Sequence, residues 1–217
     1  SGTELLLLAT GWRVNAGQTL SSIEDWVSSS EAFTEIYTSN PINVSDITMV
    51  LHGIVSPTAK TETLTITYSA STSLQWVWLA NFAGNDTANV AAATNVLEEV
   101  DNTVAAATTA FASAGTAGNG LVVVGAGIGE DMTPASVDAS FVEIIDDDTG
   151  GTAPGDADHG FYMAYLLDAA PAGPTITWGA TDENAGALIE LVAAGGAATT
   201  PKGPLGMPLV GAFGGPI

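Results

Sequence analysis

The densest group of chemically competent side chains is Asp146, Asp147 and Asp148, followed by Asp156, Asp158 and His159. Several carboxylates on a stretch rich in Gly and Pro can wrap a hard cation such as Ca2+. Asp146, Asp147, Asp148, Asp156 and Asp158 are therefore the candidate metal ligands. The run has neither a helix-loop-helix frame nor a Glu at the offset that closes a calcium loop, so it also fits a solvated hairpin loop. Glu98, Glu99 and Asp101 form a second, sparser group with the same two readings. His52 and His159 are the only histidines and there is no cysteine, so a zinc site would need carboxylates to complete it. His52 follows Leu51 in an apolar run, where a satisfied structural histidine is the expected role.

Other chemistry is excluded on spacing. Gly125-Ala-Gly127-Ile-Gly129 follows an apolar run, but Glu130 stands where a dinucleotide loop needs its third glycine. A carboxylate there repels a pyrophosphate. No Gly-x-Ser-x-Gly elbow presents a nucleophile. A carboxylate pair acting on sugars would need a cleft lined by aromatics, and no such grouping is visible. The expectation is a protein that is not an enzyme. Five tryptophans remain, at 12, 26, 76, 78 and 178. Trp76 and Trp78 share one face of a strand by its period of two, where they stack on a sugar or fill a core or interface. Asn43-Val-Ser45 and Asn85-Asp-Thr87 fit the glycosylation sequon.

The elements that must position these residues are strands. Residues 5–10, 32–38, 47–53, 63–70 and 74–83 read as a first series, rich in Thr, Val, Ile, Leu and aromatics and bounded by turn residues. Residues 121–127, 140–145, 161–167, 174–179 and 187–193 read as a second. Between them, residues 85–120 carry strand-like or weakly helical Ala/Thr/Val sequence. The series match in order. Leu5–Gly11 resembles Leu121–Gly127, and Phe33-Thr-Glu-Ile resembles Phe141-Val-Glu-Ile. Met49-Val-Leu resembles Met163-Ala-Tyr, Thr65-Ile-Thr-Tyr68 resembles Thr175-Ile-Thr-Trp178, and Ala80–Gly84 resembles Leu191–Gly195. The expected fold is all-β: a jelly-roll-like antiparallel sandwich over residues 1–195, built from pseudo-repeats at about 1–100 and 101–195. Either the halves are tandem sandwiches, or they interlock, each supplying strands to both sheets. Five strands make a poor core alone and no linker separates the halves, so interlocking is expected.

Composition bounds the partners. The 217 residues hold 24 Asp and Glu against 3 Lys and Arg, a formal net charge of -21. That surface cannot neutralise a row of phosphates, which excludes nucleic acid, and anionic membranes repel it. Apolar residues at 46% separate the chain from acidic disordered tails. No apolar stretch is long enough for a membrane helix, so no membrane insertion is expected. Few charges, nearly all negative, fit a saline medium that screens them, with a surface selected for solubility alone as the alternative. Ser1-Gly2 fits loss of an initiator Met, and hence assembly in a cytoplasm; a cleaved upstream leader is the alternative.

Residues 196–217 differ from the rest: rich in Gly and Pro, yet carrying Leu205, Met207, Leu209, Val210, Phe213 and Ile217. Apolar anchors along an extended segment are the candidate partner-binding residues, docking on another subunit or folding back over the sandwich edge.

An apolar opening strand, Gly11-Trp12, Phe33-Thr-Glu-Ile36, Met49-Val-Leu51, the Thr-alternating strand and the closing Phe82-Ala-Gly-Asn-Asp86 together resemble jelly-roll structural proteins of many tailed phages and related archaeal viruses. With the second half closing on Ala187–Gly195, the resemblance spans residues 3–195 and carries no catalytic signature. It implies a virion component: a capsid decoration or turret, or a tail-fibre module. Its partners would be further copies of itself and the capsid shell, with a host glycan as the fibre module's ligand. A cell-surface or filament-forming sandwich of a saline-adapted microbe is the rival class. No cofactor is expected beyond the Ca2+ reading.

Overall fold

The computed structural model is described over residues 4–13, 20–24, 32–38, 47–57, 64–69, 75–129, 134–137, 140–148, 158–167 and 173–194. They form twelve strands and one short helix: β1 (Glu4–Arg13), β2 (Leu20–Glu24), β3 (Thr34–Thr38), β4 (Ile47–Val55), β5 (Thr65–Tyr68), β6 (Gln75–Ala83), α1 (Val90–Ala93), β7 (Thr94–Ala110), β8 (Gly120–Gly129), β9 (Pro134–Ser136), β10 (Val142–Asp148), β11 (Asp158–Leu166) and β12 (Thr175–Leu191).

Pairing is antiparallel throughout these strands. One sheet runs β3-β4-β1-β6, a second runs β10-β11-β8-β12-β7 with β9 beside β12, and β2 pairs with β5. The continuous apolar runs occupy the sheet centres because only a strand buried on both faces needs them. In β1, residues Leu5 to Thr10 are all buried, and in β8 so are Leu121 to Val124.

The two larger sheets stack face to face. Leu5, Leu7, Met49, Leu51, Trp76, Trp78 and Phe82 of the first join Val122, Val124, Phe161, Met163, Ile189 and Leu191 of the second in one cluster. Trp76 and Trp78 stack on Phe161 with centroids 6.2 and 6.5 Å apart, and Phe82 meets Tyr165 edge-on at 6.1 Å. Each such aromatic pair adds about 0.5–1.5 kcal/mol beyond its buried area. Gly11 is required here, since a methyl at that position would lie 2.6 Å from Trp76 Cε3.

The halves do not exchange strands as expected. Among the described residues, each sheet draws from one half of the chain, with β7 of the connector added to the second. What joins the halves is the shared core and a short backbone seam. Asn85 bridges Ala193, Asp86 N donates to Val192 O at 2.7 Å, and Ala194 N donates to Gly84 O at 2.9 Å.

The connector is also more ordered than its composition predicts: one turn of helix, capped by Asn89, then a strand of 17 residues. β7 and β12 form a long ribbon that bends where the register shifts between Thr177, Asp182 and Asn184. Beyond the bend, Ile176, Trp178 and Phe111 join a second apolar cluster with Leu121, Val123, Tyr162 and Leu188. The far face of the β8 sheet is thus covered too. Sequence alone reads β12 as two strands because polar residues interrupt it at the bend.

Candidate functional site

The aspartate cluster lies on a strand. Asp146, Asp147 and Asp148 end β10, an edge strand, opposite Tyr162, Phe161 and Gly160 of β11. This corrects the loop expected for them: the pairing with β11 extends three residues past Ile145. Asp158 opens β11 opposite Gly129, so the backbone brings it to the same end of the sheet. Asp146 is exposed. Asp156, and the side chains of Asp147, Asp148 and Asp158, lie outside the described residues. Among the described residues no group of three His, Cys, Asp or Glu side chains is placed to hold a metal ion. Leu205, Met207, Leu209, Val210, Phe213 and Ile217 also lie outside the described residues.

Within the second acidic group, Glu98 has a structural role. Glu98 Oε2 accepts the backbone N–H groups of Ala112 at 2.8 Å and Ser113 at 2.6 Å. These bonds hold its carboxyl below the usual range, against a smaller opposing effect of burial. Glu190 does the same from β12. Burial works against its charge, but the Thr116 N–H at 2.5 Å, the Thr116 hydroxyl and the Asn119 and Asn95 side chains outweigh it and lower the pKa. Together they fasten the turn between β7 and β8. A lone Glu inside Ile189-Glu-Leu191 is the signal for such an inward partner. Asp101 is pushed up by burial. With Glu99 it faces Tyr37, whose phenol is raised by burial first and by those carboxylates second.

At the ribbon's bend a buried polar network replaces the missing ladder. Trp178 Nε1 donates to Thr109 Oγ1 at 2.8 Å, and Thr109 Oγ1 donates to Asn184 Oδ1 at 2.5 Å. Asn102 Nδ2 reaches the same Oδ1 at 2.8 Å, while Asn184 Nδ2 donates to Ala106 O at 2.8 Å. Every polar atom of Asn184's side chain is thereby engaged, as a buried amide requires. Gly125, part of the glycine run, packs here as well. A methyl on it would lie 2.5 Å from Ile176 Cδ1 and 3.0 Å from Trp178 Cζ2. The glycine answers a packing need.

His52 does not match the satisfied histidine expected. It is buried on β4 opposite Glu35, and its Nδ1 has no hydrogen-bond partner among the described residues. Burial lowers its pKa, with Glu35 pulling the other way. Among the described residues, Thr10 Oγ1 and Asn81 Oδ1 are likewise buried without partners. The strand alternation puts all three on the sheet face opposite the shared core.

Trp76, Trp78 and Trp178 are all buried, so none offers a ring face to a sugar. A cleft of about 170 Å³ opens between β3, α1 and β7, lined by Glu35, Ile36, Val90, Thr94 and Asn95 among others. Glu35 is the one charged group among its described lining residues. Such a cleft supplies neither a nucleophile-base pair nor convergent donors. No protein-family model, no curated protein and no solved structure matches the chain.

Proposed function

We propose that the chain is a non-enzymatic structural protein of a virus particle, a decoration or turret-type protein on the capsid exterior, assembled from several copies. One observation carries the reading. The polar side chains whose hydrogen bonds organise the described fold serve architecture: Glu98 and Glu190 fasten a turn, and the buried Asn184 and Thr109 hold a bend. An interior devoted to stacking two sheets, under a strongly acidic surface, suits a rigid surface module. The likeness of its strand texture to virion jelly rolls supplies the setting.

The finer fold belongs to the same proposal: a jelly-roll-like sandwich derived from a duplicated half. Two features support it. The spatial orders β3-β4-β1-β6 and β10-β11-β8-β12 correspond position by position, with β2 beside β5 echoed by β9 beside β12. In the first half the chain twice leaves the main sheet for that small pair, a sheet-crossing habit of jelly rolls. In addition, the seam at Asn85 and Ala193 joins the closing ends of the two series antiparallel, as a two-fold relation between them would.

Immunogold labelling of intact particles tests the setting. Label on the capsid surface is expected, whereas label confined to cell envelopes or free filaments overturns it in favour of the cell-surface class. Deleting residues 200–217 tests the anchor. The truncated chain should keep its β-type circular dichroism and lose particle binding. Retained binding would show that the apolar tail residues are not the anchor.

A further inference from the structure

We infer that the outer edge of β6 is a pairing surface for β6 of a second copy of this chain, joining two four-stranded sheets into one across a two-fold axis. The inference rests on the homo-oligomeric reading above and says where the copies meet.

Sheet edges normally carry devices that prevent pairing: charges, Pro, bulges or shortness. The two larger sheets end in four strands, β3, β6, β7 and β10. β10 holds Glu143, Asp146, Asp147 and Asp148 in seven residues, and its register is broken between Glu143 and Ile145. β7 holds Glu98, Glu99 and Asp101 and is bulged. β3 is only five residues long, carries Glu35 and is also bulged. β6 differs on every count. Its nine residues, Gln-Trp-Val-Trp-Leu-Ala-Asn-Phe-Ala, include no charge, Pro or Gly. It pairs with β1 from Glu4↔Ala83 to Trp12↔Gln75 without a shift. Among the described residues no strand lies on its outer side. In the second sheet, β12 sits beside the central strand as β6 does, and there β7 occupies the outer position.

Charge selects the occupant. At -21, copies repel wherever carboxylates face carboxylates. Of the four edges, β6 alone lets two copies meet with no acidic residue on either strand. Antiparallel self-pairing places Val77, Leu79 and Asn81 against the same stretch of the partner, which is the self-complementarity a two-fold contact demands. Paired residues would lie about 4.5–5.5 Å apart between Cα atoms, within reach of a disulfide.

The chain has no cysteine, so introduced ones report without background. In the full chain at molar salt, Val77→Cys, Leu79→Cys and Asn81→Cys are oxidised mildly and compared with Val142→Cys on the acidic β10 edge. A covalent dimer at one or more β6 positions, with little at Val142, is expected. No dimer at any β6 position, or equal yields at Val142, overturns the inference. Sedimentation supplies a second reading: a two-chain mass for the native sequence, and a monomer with unchanged circular dichroism for Val77→Lys. If Val77→Lys does not fold, the cysteine scan decides alone. A dimer lost only on deleting residues 200–217, with no β6 cross-link, assigns the contact to the tail and refutes the β6 edge. A monomer that still labels particle surfaces also refutes it, and leaves the particle-surface setting standing without the assembly from several copies.

Discussion

Asn184 and Thr109 are the buried polar side chains on which the bent ribbon depends, because the shifted register between β7 and β12 leaves ladder groups that only side chains can meet. Asn184→Ala strands the Thr109 hydroxyl proton and the Ala106 carbonyl, while the Asn102 amide keeps Thr108 O. Each unmet buried group costs about 1–3 kcal/mol, and the network members relax together, so a loss of about 2–4 kcal/mol is expected by chemical denaturation. The exposed neighbour Thr108→Ala should stay within about 0.5 kcal/mol, and a small effect at Asn184 would show that the network is dispensable. Glu190 links local structure to pH. Its folded pKa lies below the unfolded value, so its contribution is complete above the usual carboxylate range and disappears as pH falls through the folded pKa. The melting-temperature gap between the native chain and Glu190→Gln should therefore be positive at neutral pH and close under acid. Comparing the two chains cancels the general relief of repulsion that acid brings to both. A gap that does not change with pH would place the role of Glu190 in shape and not in charge.

At the scale of elements, the shared core makes each half incomplete. Residues 1–100 alone would expose Leu5, Leu7, Met49, Leu51, Trp76, Trp78 and Phe82 on one sheet face, each mostly or wholly hidden in the full chain. That much exposed apolar surface drives association. The isolated segment is expected to aggregate or to bind a hydrophobic dye, and a soluble segment with a cooperative melt would show independent halves. The strands that make this core were legible because burial on both faces dictates apolar runs at residues 5–10 and 121–127. The Trp76/Trp78 face followed from the period of two. β7 was harder to read, since a half-exposed edge strand tolerates Glu, Thr and Ala and loses its alternation. The continuity of β12 was hidden by Asp182, Glu183 and Asn184, which look like a turn until the bend gives Asn184 a buried role. The same blindness applies to Glu98 and Glu190, whose partners are backbone groups at separations of 14 and 74 residues. Strand exchange between halves was expected from the weakness of a five-strand core, yet stacking the sheets face to face supplies the missing burial without it.

At the scale of the whole molecule, a fold with 24 acidic and 3 basic residues has to tolerate its own charge. Few of those carboxylates can find a cationic partner, and Glu98 and Glu190 show the alternative of backbone N–H donors. Among the described residues, Glu99, Glu143 and Asp146 lie exposed on strands, where neighbouring acids repel. Unfolding separates them, so repulsion lowers stability at low ionic strength. The Debye length falls from about 10 Å at 0.1 M to about 3 Å at 1 M, which removes most of that penalty. The melting temperature should accordingly rise with NaCl, steeply over the first few tenths molar and more gently beyond. Screening and salting-out differ in that shape, because exclusion of salt from apolar surface keeps growing with concentration. A second arm separates them further: replacing exposed Asp146 and Glu143 by Asn and Gln should raise the low-salt melting temperature and flatten the initial rise. A melting temperature that is flat from low to molar salt would remove the case for a saline setting. A purely linear rise, unaffected by the double replacement, would assign the salt effect to apolar burial instead of charge.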